Sequence, residues 1–255
     1  MEMIWYLVKV IILVAIVQVM LGPIVLYFVT RHAAKPQFQT FDPANPPLML
    51  PPNYTRNIAL LEELGFSVVA HLFGAGQATS VRHVLTLFVN QSERDMANVV
   101  HMLSEIPPVT RIMVNYAEFS TEFVDGAELC TNNSKQPSGF VQVPEKRVLR
   151  LPHINDLKQL YAVHRAAAAQ RSGTDKRLPP PGEEVSDLIA SMERDLAREA
   201  SFGRLKLDDS GFWYHLTMKA AVLYSLKFSW PMGFLRRRLQ RWQGKRLERA
   251  LVAEQ

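Results

Sequence analysis

The chain has 255 residues, 48% of them hydrophobic and 21% charged, with a formal net charge of +5. That is enough apolar material for one substantial core, which excludes a disordered chain, and a single cysteine, Cys130, excludes an internal disulfide and any multi-cysteine metal site. The positive balance is local: between positions 236 and 249, Arg236, Arg237, Arg238, Arg241, Lys245, Arg246 and Arg249 stand against Glu248 alone, so the remainder is near neutral and no chain-wide nucleic-acid surface is implied.

The first element is an apolar run, VIILVAIVQVMLGPIVLYFV, from Val10 to Val29 without a formal charge. At about 1.5 Å per residue a helix of this length matches the ~30 Å hydrocarbon core of a bilayer. Trp5, Tyr6 and Tyr27 fit an aromatic belt at its ends. The run is longer than the apolar part of a secretory signal, and no clean cleavage site follows it, which predicts a retained single-pass anchor over residues 1–35. Gly22-Pro23 predicts a kink, and Gln18 a polar group needing a partner, so the anchor is expected to pack against other transmembrane helices. Lys9 before the run, against Arg31 and Lys35 after it, favours a cytoplasmic C-terminal part.

Residues 36–52 carry six prolines and predict a semi-rigid spacer. Residues 53–170 then read as an α+β domain on a mainly antiparallel sheet. Ile58, Leu61 and Leu64 have helical spacing, with Asn53 as N-cap and Gly65 at the C-terminal stop. FSVVAHLF (66–73) and VRHVLTLFV (81–89) alternate like strands joined by a loop. Ser92 and Asp95 resemble a capping box, and Met96, Val99, Val100 and Leu103 form a stripe, which together predict a helix ending at Pro107-Pro108. The longest strand pattern covers 109–124 and turns at Asp125-Gly126 into AELCT. Short strands are expected near Phe140–Val143 and Arg147–Leu151, followed by a helix with Leu157, Leu160, Tyr161 and His164 on one face.

Residues 171–185 form a polar, proline-rich linker, and 186–255 a helical segment interrupted by a short hairpin. Within it, GRLKLDDSGFWYHLTMKAA resembles the wing hairpin of winged-helix domains, which implies DNA binding, but the linker occupies the place where the helix-turn-helix would stand. The layout of anchor, proline spacer, FSTEFVDGAELCTNNS strand pair and Trp-Pro-basic tail resembles uncharacterised bacterial single-pass membrane proteins, a likeness that implies no activity. Leu235, Leu239 and Trp242 fall on one helical stripe beside Arg237, Arg238, Arg241 and Lys245, with Trp230 and Arg236 upstream and Arg246 interrupting the stripe. That arrangement fits contact with membrane lipid or a partner at the membrane surface better than with nucleic acid.

No catalytic, cofactor or metal constellation emerges. The GAG at 74–76 precedes a strand where a dinucleotide fingerprint needs a helix, and the seven histidines lack ligand spacing, His71 and His83 being the pair to inspect. Cys130 sits among acids, which predicts an inert, raised-pKa thiol in a strand; Glu118, Glu122 and Glu128 share its neighbourhood. Sequons at Asn53, Asn90 and Asn132 carry meaning only in a eukaryotic secretory lumen. Three functional readings remain: a non-enzymatic membrane-anchored accessory subunit or assembly factor, an anchored enzyme or ligand-binding domain with a pocket between sheet and helices, and a membrane-tethered nucleic-acid binder.

Overall fold

The computed structural model describes residues 2–78, 81–106, 109–136, 143–171, 175–228 and 232–253. In chain order the elements are α1 (Glu2–Val29), β1 (Arg31–Ala33), β2 (Gln39–Thr40), α2 (Tyr54–Glu63), β3 (Ser67–Ala78), β4 (Val81–Asn90), β5 (Asp95–Ile106) and β6 (Val109–Phe123). They continue with β7 (Glu128–Asn132), β8 (Lys146–Arg150), α3 (Leu157–Ala169), β9 (Lys176–Arg177), α4 (Glu184–Ser201), β10 (Leu205–Leu207), β11 (Trp213–Leu216), α5 (Met218–Phe228) and α6 (Met232–Ala253). This is the expected α+β class. One sheet runs β10-β11-β1-β3-β4-β5-β6-β7-β8, with β2 added to β3 and β9 to β6, and every pair is antiparallel except β7–β8.

Two sets of helices cover the sheet. Against one face lie α2, α3 and the end of α6, where Phe66, Phe88, Phe119, Leu160 and Leu251 are buried in a single cluster. Phe119 is fully buried, with ring centroids 5.6 Å from Phe66 and 4.9 Å from Tyr161. Over the other face lies α4, whose Val185 and Leu188 pack on Leu72, Leu85, Leu87 and Val100.

The helix expected from Ser92 is absent: residues 95–106 are the strand β5, fully paired with β4 and β6. Both faces of this strand are covered, so apolar residues occur at odd and even positions, and Met96, Val99, Val100 and Leu103 mimic a helical stripe. Asp95 is no cap but a buried acid. The two glycine signals have their expected roles. Gly65 ends α2 at φ +86°, and Gly126 turns at φ +81° between β6 and β7. Asn53 precedes α2 without a side-chain cap, its Oδ1 accepting from Asn115 Nδ2 instead. The strand expected at 140–143 lies outside the described residues but for Val143, which bridges to Lys146.

The proline-rich stretch lies along the sheet, where Gln39 and Thr40 pair with Phe73 and Leu72 and the Phe41 N–H donates to the His71 carbonyl. Lys176 and Arg177, from the linker, add to the end of β6. The hairpin that resembles a wing is present as β10–β11, but β11 pairs with β1, so it forms the sheet's end and not a free wing.

Candidate functional site: a helical surface and a polar cleft

The apolar run forms the 28-residue α1, continuous through Pro23. Its most apolar 18 residues, Ile12–Val29, have a mean hydropathy of 2.5 and are 6% buried, so by length and composition it is one helix able to cross a membrane. Val10, Gln18 and Val29 are exposed, while Pro23 is buried. The neighbouring Gly22 lies against α5 of the same chain, where an added Cβ would crowd Ser225 Oγ. The two helices run antiparallel, because β1 follows α1, β11 precedes α5, and these strands pair with Arg31 opposite His215. At Gly22, beside the expected kink, the neighbouring helix is one of this chain's own. Farther along, Leu26 joins Leu196, Leu205, Leu216 and Ala220 in a small cluster that seats the base of α1 on the body.

The basic tail is α6, and its docking stripe is not the one that drew notice in the sequence. Gly244 meets the Arg150 carbonyl, a Cβ there lying 3.1 Å from it, while Leu247 and Leu251 pack into the main core. Glu248 accepts from His153 Nε2 and Gln159 Nε2, each at 2.6 Å. These residues recur every three or four positions and turn the opposite face outward. Leu235, Leu239 and Trp242 are therefore exposed, as are Arg236, Arg237, Arg238, Arg241, Lys245 and Arg246. Arg238 lies over Phe234 and Arg246 over Trp242, 5.3 and 5.8 Å from the ring centroids. Trp230 lies outside the described residues. Between α6 and the 152–155 turn runs an open groove of about 780 Å³.

The second candidate is a cleft of about 210 Å³ between α4 and the sheet. Strand register sets its floor in rows. Asn98 stands opposite Glu118 and Glu118 opposite Asn132; Glu122 stands opposite Glu128, which pairs in turn with Lys146. Lys146 bridges Glu128 (3.0 Å) to Asp195 of α4 (2.9 Å), and Arg177 pairs with Glu122 at 3.1 Å. Asn132 Nδ2 donates to Glu118 Oε2 at 2.7 Å. Burial raises the Glu118 carboxyl above its ordinary range, against that hydrogen bond. Burial alone would lower the Lys146 ammonium, but Cys130, Glu128 and Asp195 outweigh it and hold the proton on. Asn98 Oδ1 is buried with no hydrogen-bond partner.

Cys130 behaves as expected from its acidic surroundings: it is buried, donates to Glu128 Oε1, and is pushed well above the ordinary thiol value first by burial and then by Glu118 and Glu128. Such a thiol is a poor nucleophile. His71 and His83 do not meet, since His71 pairs with Thr86 and His83 with Gly74. The His71 Nδ1 is instead 2.9 Å from Tyr54 Oη.

The opposite side of the sheet holds a closed polar network that sequence reasoning missed. Asp95, with no exposed surface, accepts from Thr121 Oγ1 (2.6 Å), Lys176 Nζ (2.8 Å) and Tyr161 Oη (2.9 Å). Because Thr121 gives its proton to Asp95, it accepts from His164 Nε2, which leaves His164 Nδ1 to accept from Thr131. A neutral imidazole thus satisfies every partner, and burial lowers the His164 pKa to about 4. Only the acid–lysine pairing across 81 positions would have revealed this network, and no local pattern encodes it.

No protein-family model matches this chain, and no curated protein or solved structure matches it either.

Proposed function

We propose that the protein is a non-enzymatic, membrane-anchored accessory subunit or assembly factor of a larger membrane complex, with its α+β body on the cytoplasmic side. The observation that carries this reading is the contrast in burial. The body covers its own core, whereas the most apolar stretch of α1 is 6% buried, meeting α5 near Gly22 and the body near Leu26. Lipid and neighbouring transmembrane helices are the partners that such a surface fits. The exposed cations of α6 fit the anionic cytoplasmic leaflet.

The test is to replace residues 10–20 with leucine, sparing the Gly22 contact, and purify the chain gently from its native membrane. Retention in the pellet after carbonate extraction, with loss of co-purifying membrane proteins, is the expected result. Extraction of the unaltered chain as a shorter soluble form would overturn the anchor, and an unchanged set of partners would reduce α1 to a tether.

A second reading, an anchored ligand-binding domain, draws support from the polar cleft under α4, where Asn98 Oδ1 lacks a donor and Glu118 is held on the floor. A thermal shift produced by an amino acid or polyamine and abolished by Asn98→Leu would favour it.

A further inference from the structure

We propose that the groove between α6 and the 152–155 turn captures the phosphate of an anionic lipid headgroup. The proposal rests on the membrane-anchored reading. Four cations line the groove: Lys135 from the bend after β7, and Arg238, Arg241 and Lys245 from α6. No acidic side chain lines it, and none of the four is in an ion pair among the described residues. Several cations elsewhere on the body are matched, as Lys146 with Glu128 and Asp195, Arg177 with Glu122, and Lys176 with Asp95. The acid on α6, Glu248, does not line the groove and has both carboxylate oxygens engaged, by His153 and Gln159. Like charges gathered without a counter-charge repel one another, and an anion in their midst relieves that repulsion.

The same groove carries Leu239 and Trp242, 51% and 58% exposed. A free phosphate offers nothing to these side chains. A lipid does, because its glycerol and upper acyl region lie next to its phosphate, at the depth where tryptophan is favoured and arginine snorkels. α5 packs against α1 and also touches α6, so α6 shares a neighbour with the only helix among the described residues long and apolar enough to cross a bilayer.

The test uses the full chain in neutral detergent, titrated with phosphatidylglycerol, with phosphatidylcholine, with inorganic phosphate and with duplex DNA. One triple variant, Arg238→Gln, Arg241→Gln and Lys245→Gln, empties the groove of its α6 charge. A second, Arg236→Gln, Arg237→Gln and Arg249→Gln, removes the same charge outside it. All six residues are exposed, and the pattern of unfolding serves as the folding control. Phosphatidylglycerol is expected to bind the unaltered chain and to lose roughly a hundredfold in affinity with the groove variant, about a factor of five for each lost charge, but much less with the other triple. Equal losses in the two triples would overturn the groove while leaving the anchor intact, which carbonate extraction checks separately. Inorganic phosphate binding as tightly as the lipid, phosphatidylcholine binding as well as phosphatidylglycerol, or DNA binding in preference to both would each overturn the assignment.

Discussion

Alternate residues of β5, β6 and β7 face opposite ways, and the two faces meet different neighbours. Towards α3, Ala97, Ala117, Phe119 and Leu129 exclude water, and the polar groups among them, Asp95, Thr121, Thr131 and His164, close on one another. Towards α4, the same three strands present Asn98, Glu118, Ser120 and Glu128 to a cleft, with ion pairs around its wall and one buried amide oxygen left over. Burial of polar groups is tolerated on both sides, but for different reasons. Around Asp95 the first face satisfies its donors and acceptors internally, although His101 on the same side of β5 keeps both ring nitrogens unpaired; the second face leaves room for water or a ligand beside Asn98. A sealed face stores stability and a gapped one stores binding capacity.

Substitutions can separate these roles. The largest effect is expected in the sealed face, where Phe119→Ala should cost about 3–5 kcal/mol by opening a cavity between Phe66 and Tyr161, read from denaturant unfolding. A similar cost from truncating a cleft residue would erase the distinction.

Acid should come next. The folded chain holds His164 neutral down to about pH 4, whereas an unfolded histidine gains its proton near 6.5, so the unfolded state binds more protons between those values. Stability is therefore complete above about pH 6.5, falls as pH drops towards 4, and loses roughly 2–3 kcal/mol over that window. Thermal midpoints recorded across the window, with His164→Gln as the flattened comparison, check this.

The smallest effect belongs to the cleft. Glu118→Gln removes a charge that burial disfavours, while the amide oxygen still accepts from Asn132. Where the carboxyl is ionised, the variant is expected to be unchanged or more stable by up to about 1 kcal/mol. A loss of several kcal/mol would mean that the carboxylate is structural and the cleft as tightly built as the other face.

Much of this architecture was legible locally. The uncharged run became α1, Asp125-Gly126 became the β6–β7 turn, and the acids flanking Cys130 explained its inert thiol. Local signals failed wherever meaning came from distant pairing. β5 is flanked on both faces, so its apolar residues lost the period of two that marks a half-buried strand. Lys146 meets Asp195 and Lys176 meets Asp95 through tertiary folding alone. On α6 the exposed Leu239 and Trp242 outweighed the quieter Gly244, Leu247 and Leu251, although the latter dock the helix, because a glycine contributes to packing by what it lacks.

The pairing of β1 with β11 also has a consequence for the order of assembly. The ribosome delivers β1 directly after α1, but the strand that completes its hydrogen bonds is made only after every other strand of the sheet. Until then the growing chain carries an open edge beside the apolar helix, and long-range closure of this kind is slow. The last strand to be synthesised thus acts as a latch, drawing α5 against Gly22 as it closes. A chain cut short before β11 would keep its apolar helix and most of its core, joined by the short pairing of β1 with β3.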